Sequence, residues 1–181
     1  MRQVLAGMAL LVLTSSLALA ASEPGWVLQA PEPGKPPVAV TKAVRTNLNL
    51  GAVVLACERG ALRLELHPST ETPLLPAGAT RDEMKDAPRV ELTVDGRQFA
   101  ASILFADERA VVADREDRRM ASLSRPLADA LAAGTTLEIR FDLLREPAGQ
   151  PATFDATAKV DLKAGNGGGA LSKVREACET D

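Results

Sequence analysis

Two distant cysteines constrain this chain more than any other feature. Cys57 lies within the stretch Leu50 to His67, and Cys178 lies near the end of the sequence. Ala52 to Cys57 is a short apolar run, which Glu58, Arg59 and Gly60 interrupt. Leu62, Leu64 and Leu66 then alternate with Arg63, Glu65 and His67. A period of two puts the leucines on one face and the polar residues on the other, as in a half-buried strand. The stretch therefore predicts a strand, a tight turn at Arg59-Gly60 and a returning strand. At the far end, Leu171, Val174 and Cys178 fall at i, i+3 and i+7, one stripe of a short helix over Ala170–Glu179. A cysteine on the face that must pack makes a Cys57–Cys178 bond geometrically reasonable, tying the last helix to the hairpin. The bond would close a loop of about 120 residues, for which chain entropy sets an upper figure near 5 kcal/mol.

The N-terminus supports that pairing. Residues 1–20 have the form of a signal peptide: Arg2 gives a positive start, Val4 to Leu13 is almost wholly apolar, and Ala18-Leu19-Ala20 is a small-residue cleavage pattern before Ala21. Its apolar core is short for a membrane span, no cysteine stands by the cleavage site to take a lipid, and no later segment is long and apolar enough to cross a bilayer. A periplasmic or secreted location is the expectation, and two cysteines in an oxidising compartment are more often a structural bridge than a reactive pair. The segment carries Arg2 and no acid, so the remaining 161 residues hold 20 basic and 24 acidic side chains, a net charge of −4. This mixed, mildly acidic balance leaves no electrostatic footprint for nucleic acid or anionic lipid. Aromatic residues are few, with no tyrosine, so a stacking platform for sugars or single strands is not expected.

Residues 21–37 form a leader rich in Pro24, Pro31, Pro33, Pro36 and Pro37, which leans towards extended geometry. Trp26-Val27-Leu28 is its exception, a short edge strand able to dock the leader onto the body. Residues 38–181 read as one β-rich domain. Val38–Val44 predicts a strand and Thr46–Gly51 a turn-rich link. Pro68 to Ala87, with Pro73, Pro76 and Gly78, predicts a long loop, with a helical turn from Thr80 to Asp86 capped by Thr80 and Glu83. Loops of this length are commonly functional or mobile, so Thr70, Glu71, Leu74, Leu75, Arg81 and Asp82 form the candidate recognition surface. Arg89–Phe105 is a hairpin around Asp95-Gly96, a favoured two-residue turn, with Phe99, Ala101, Ile103 and Phe105 on the buried face. Ala110–Ala113 predicts a strand, and Asp114–Arg119 a solvated charged turn. Ser122–Ala133 predicts a helix with Ser124 as N-cap, Pro126 in the first turn and Gly134 as the stop. Thr135–Leu144 points Leu137, Ile139, Phe141 and Leu143 inward. Thr153–Leu162 does the same with Phe154, Ala156, Ala158, Val160 and Leu162. Gly165 to Gly169 predicts a flexible joint before the terminal helix.

The motifs of common catalytic sites are missing. His67 is the one histidine, outward on its strand, where a triad or a zinc site would need partners around it. The cysteines are too far apart for a C-x-x-C redox pair. The glycine cluster lacks the Gly-x-x-x-x-Gly-Lys-Ser/Thr order that cradles phosphate. Neither Asp82, Glu83 and Asp86 nor Asp114, Glu116 and Asp117 has the ligand spacing of a calcium-binding EF-hand loop. No cofactor or metal is expected.

The stretch Leu55-Ala-Cys57-Glu-Arg-Gly60, with a later strand carrying Phe154 that leads through glycines into Ala170-Leu171-Ser-Lys-Val174-Arg-Glu-Ala-Cys178, resembles small exported bacterial β-sandwich proteins. Among these are the periplasmic accessory proteins of type VI secretion and relatives of the invasion-associated locus B family. The resemblance covers the order of elements from Ala52 to Cys178 and is specific at the two cysteines. Trp26 departs from it, lying far upstream of the first cysteine. It implies an accessory or binding role and brings no catalytic residues. The expected fold is all-β: a sandwich or strongly curled antiparallel sheet of about seven strands, with one inserted and one C-terminal short helix. The expected function is a non-enzymatic exported protein with a protein partner in the bacterial envelope. The alternatives are a secreted hydrolase inhibitor or immunity-type protein probing with the Pro68–Ala87 loop, and a hydrolase that works with carboxylates alone.

Overall fold

A computed structural model describes residues 25–29, 34–106, 109–117 and 120–179. The predicted signal segment 1–20 and much of the predicted leader lie outside the described residues. The chain runs through β1 (Val27–Gln29), β2 (Val38–Thr41), β3 (Arg45–Thr46), β4 (Leu50–Glu58) and β5 (Ala61–Pro68). After a single 3-10 turn at Arg81–Glu83 come β6 (Met84–Val94), β7 (Arg97–Ala106), β8 (Arg109–Ala113), β9 (Arg115–Asp117) and β10 (Met120–Ser122). Helix α1 (Arg125–Ala133), β11 (Thr136–Leu144), β12 (Ala156–Asp161) and α2 (Gly167–Glu179) complete it.

Ten strands form one antiparallel sheet in the order β1-β2-β4-β5-β8-β7-β6-β11-β12-β3, and β9 and β10 form a separate ribbon. The sheet curls into a half-barrel, so the curled alternative holds and the count of about seven strands falls short. The extra strands are short ones that carry too few residues for a visible period. Thr46, expected in a link, forms with Arg45 a two-residue strand that pairs with Ala158 and Lys159 on β12. The chain thus crosses from β2, near one edge of the sheet, to the opposite edge within Lys42–Val44. Trp26 draws the same edges together: its backbone N–H donates to the Ala164 carbonyl at 3.2 Å and its Nε1–H to the Asp161 carbonyl at 3.1 Å.

The two hairpin turns follow from local chemistry. Arg59 and Gly60 have φ of 53° and 72°, and Asp95 and Gly96 have 47° and 84°. Positive φ at both central positions is the geometry that matches the right-handed twist of the flanking strands. Registers Glu58↔Ala61 and Val94↔Arg97 close both loops at two residues.

Inward residues fill one core. Leu64, Leu66, Leu92, Leu137, Ile139, Phe141, Leu143, Ala158 and Val160 share it with Leu127 and Leu131 of α1 and Leu171 and Val174 of α2. Ser124 caps α1 and Gly134 follows its last residue. The bond between Cys57 and Cys178 is formed, with Cα atoms 5.4 Å apart across a separation of 121 residues.

Four local expectations are corrected. The Gly165–Gly169 segment is not a free joint, because α2 already begins at Gly167. A Cβ there would overlap the Leu162 carbonyl oxygen and press on the Trp26 ring. Phe154 precedes β12 and is exposed, with Arg140 over its ring at 4.2 Å, and Phe105 is exposed at the end of β7. Within the Asp114–Arg119 run, Arg115–Asp117 form β9 and pair with β10, so this part is strand and not a solvated turn, and Asp114 accepts hydrogen bonds from the Ser124 backbone N–H and hydroxyl. The predicted loop ends early, since β6 begins at Met84 and pairs with Leu144 across an irregularity in β11. Pro88, which has no N–H to give a ladder, falls in that irregular part of β6.

Candidate functional site

The loop between β5 and β6 is ordered by one side chain. Asn49 donates through Nδ2 to Thr70 Oγ1 (3.2 Å), Thr72 Oγ1 (2.9 Å) and the Pro73 carbonyl (2.9 Å). Its Oδ1 accepts from the Leu75 N–H at 2.8 Å. Backbone bonds between Asn49 and Leu75, and between Asn47 and Ala77, extend the contact. The loop continues to Thr80, whose N–H and hydroxyl both donate to Glu83 Oε2, at 2.7 and 2.9 Å. These bonds, from the Thr80 backbone first and then its hydroxyl, hold the Glu83 pKa below the usual carboxylate value of 4.5.

The six residues singled out for recognition divide in two. Thr70, Glu71, Arg81 and Asp82 are exposed. Leu74 and Leu75 are 1% and 6% exposed, so they anchor the loop in the body and do not face a partner. Two adjacent apolar residues in a proline-rich loop look alike in sequence whether they probe outward or plug inward. Only the packing distinguishes them.

Beside the loop lies a cleft of about 640 Å³, lined by Pro73, Arg81, Asp82, Met84, Lys85, Asp86, Phe105 and Arg145. Its wall carries a charged network that the sequence did not mark. Asp142, on the outward phase of β11, has a fully covered side chain. It receives Lys85 Nζ and two bonds from Arg89, with Nε at 2.8 Å. Lys85 also meets Glu146, and Arg145 pairs with Asp86 at 3.0 Å. Burial pushes the Asp142 pKa up, but the hydrogen bonds and charges of Lys85 and Arg89 outweigh it and leave the net shift downward. Burial lowers that of Lys85, and its two carboxylate partners turn the net shift upward. The hydrogen bond from Lys85 lowers that of Glu146. Both acids are thus held ionised on one lysine, an arrangement suited to fixing strands. A general acid needs the opposite, a carboxyl whose pKa is raised towards the working pH.

On the outward face of β5, His67 Nε2 lies 3.1 Å from Glu65 Oε2, and Arg109 approaches the same oxygen at 3.3 Å. No group of three or more His, Cys, Asp or Glu side chains converges on a metal-sized site among the described residues. No helix among them is long and apolar enough to cross a membrane. No family model matches the chain, and no curated protein or solved structure shows significant similarity to it. What can be stated of its class rests on the fold: a curled antiparallel sheet with two helices in its core and one disulfide across it.

Proposed function

We propose that the protein is an exported, non-enzymatic accessory or binding protein of the bacterial periplasm or envelope, and that it engages a protein partner through the loop between β5 and β6 and the adjoining cleft. The observation that carries this reading is the pinned loop. Four bonds from Asn49 fix its conformation, while Thr70, Glu71, Arg81 and Asp82 stay exposed and Phe105, 38% exposed, stands at the cleft beside them. A loop fixed in advance loses little entropy on binding, and an accessible aromatic ring among charges is a common interface anchor. The disulfide fits an oxidising compartment. The same rigidity favours a second reading, a secreted hydrolase inhibitor or immunity-type protein with this loop as its probe.

Export is tested by fractionation and N-terminal sequencing, with mature protein starting at Ala21 as the expected result. Recruitment is tested by placing a photo-crosslinking residue at Glu71 or Arg81 in cells. A discrete adduct from both positions, absent from a control at Lys159 on β12, is expected. Absence of any adduct from the loop positions would overturn the loop as the contact surface.

A further inference from the structure

The cleft beside the loop between β5 and β6 is a split in the sheet, and the pairing of β7 explains it. This strand serves two ladders in turn. Arg97 to Ser102 pair with Val94 to Arg89 of β6, and Ser102 to Ala106 pair with Ala113 to Arg109 of β8. The turn at Asp95-Gly96 closes on Val94↔Arg97, so odd-numbered positions of β7 point their N–H and C=O groups towards β6. The closing pair Ala106↔Arg109 points the even-numbered ones towards β8. Ile103 and Phe105 therefore direct backbone groups at a flank where the β6 ladder has already ended.

The register past Arg89↔Ser102 would set Pro88 opposite Ile103 and Asp86 opposite Phe105. Pro88 has no N–H to offer the Ile103 carbonyl. The start of β6 is also drawn away towards β11. Met84 pairs with Leu144, the Arg145 N–H donates to the Glu83 carbonyl at 2.8 Å, and Lys85 meets Asp142. The gap of about 640 Å³ that results has Phe105 on one side and Met84, Lys85 and Asp86 on the other. Among the described residues, no ladder pairing reaches Ile103 to Ala106 from that side. Leu104 and Phe105, adjacent in sequence and so on opposite faces of β7, are 42% and 38% exposed.

An open flank within a sheet offers donors and acceptors at strand spacing, and an extended chain is the shape that meets them in series. We propose that the cleft takes an extended segment of the partner protein, which adds as a strand to the free flank of β7 at Ile103–Ala106 and packs apolar side chains on Leu104 and Phe105. The proposal rests on the reading of the cleft as the contact surface and specifies how the partner is held there, through its backbone.

The test is amide hydrogen exchange followed by NMR on the oxidised protein, alone and with the capped peptide acetyl-Thr-Val-Thr-Val-Thr-amide. In the protein alone, the Phe105 amide is expected to exchange about tenfold faster than those of Leu104 and Ala106, which face β8. Saturating peptide is expected to slow the Phe105 amide about tenfold and to leave that of Ile139 unchanged. The same peptide N-methylated at every residue keeps its side chains, lacks the donors and is expected to give no protection. Phe105→Lys puts a charge on the flank, as natural edge strands do, and is expected to weaken peptide binding about tenfold, with Val44→Lys, exposed and outside the cleft, as the control. A Phe105 amide already slow in the protein alone, equal protection by the N-methylated peptide, or no protection by either overturns the proposal. Protection that grows with protein concentration in the absence of peptide also overturns it and makes a second copy of the chain the occupant. Loop adducts from Glu71 or Arg81 without Phe105 protection keep the loop as a contact and remove strand addition; Phe105 protection without loop adducts does the reverse.

Discussion

The indole Nε1–H of Trp26 donates to the backbone carbonyl of Asp161 at 3.1 Å, across 135 residues of sequence. This bond joins the start of the described chain to the end of β12, and with it the first edge of the curled sheet to its last strands. The ring is buried, and its Cδ1, together with the Leu162 carbonyl, lies where a Cβ on Gly167 would fall. Trp26→Phe keeps most of the packing and removes the bond, so a loss of about 1 kcal/mol is expected. Trp26→Ala empties the site and is expected to cost about 4 kcal/mol. Urea unfolding of the two variants checks the order; equal losses would show that the hydrogen bond, not the ring, holds the seam.

The disulfide acts on the same core from the other side. Cys57 faces inward on β4 and Cys178 on α2, and the loop they close spans most of the domain. The double variant Cys57→Ser and Cys178→Ser is expected to lose about 3–5 kcal/mol. Reduction of the native protein should lower its melting temperature by a similar free energy. A melting temperature indifferent to reductant would mean that α2 is held by packing alone.

Long-period features were legible in the sequence and short or paired ones were not. Leu137, Ile139, Phe141 and Leu143 announce β11 because nothing interrupts their alternation, and each is fully buried. The same alternation misplaced Phe154. Asp155 turns its side chain back to accept from the Leu143 and Leu144 N–H groups, both at 2.8 Å, and β12 starts only at Ala156. Asp142 and Glu65 carry no sequence sign of burial, since an acid on an outward phase normally meets water. They are buried because Lys85 and Arg89 of β6 cover Asp142, and His67 of the same strand and Arg109 of β8 cover Glu65. The candidate loop was visible through its prolines, but its anchor Asn49 was not, because its partners lie 21 to 26 positions away.

Removal of that anchor should release the loop without unfolding the sheet. Asn49→Ala leaves the Leu75 N–H without its side-chain acceptor, so a loss of about 2 kcal/mol is expected. Arg81, exposed just past the pinned segment, gives a direct readout: tryptic cleavage after it should quicken in Asn49→Ala while the rest of the protein stays resistant. If cleavage at Arg81 is equally fast in both proteins, Asn49 does not govern the loop.

The Asp142 network makes stability depend on pH at both extremes. Asp142 is held below its ordinary 3.8, so the folded state binds its proton more weakly than the unfolded state. The stability this gives is fully present above 3.8 and is lost as pH falls through the lower, folded value. Lys85 is held above its ordinary 10.5, and its contribution is present below that value and is lost as pH rises through the folded one. Asp142→Asn keeps the shape but removes the charge between Lys85 and Arg89. Because that carboxylate is fully covered while Arg89 is largely exposed, the expected cost at neutral pH is about 3 kcal/mol, the lower end for breaking a buried pair. The variant should also show a flatter stability profile between pH 5 and about pH 2, since the proton uptake at this site is gone. Chemical unfolding across that range separates the two effects. A variant that is destabilised yet keeps the wild-type acid slope would place the titrating group elsewhere, with Glu146, also held low by Lys85, the next to replace.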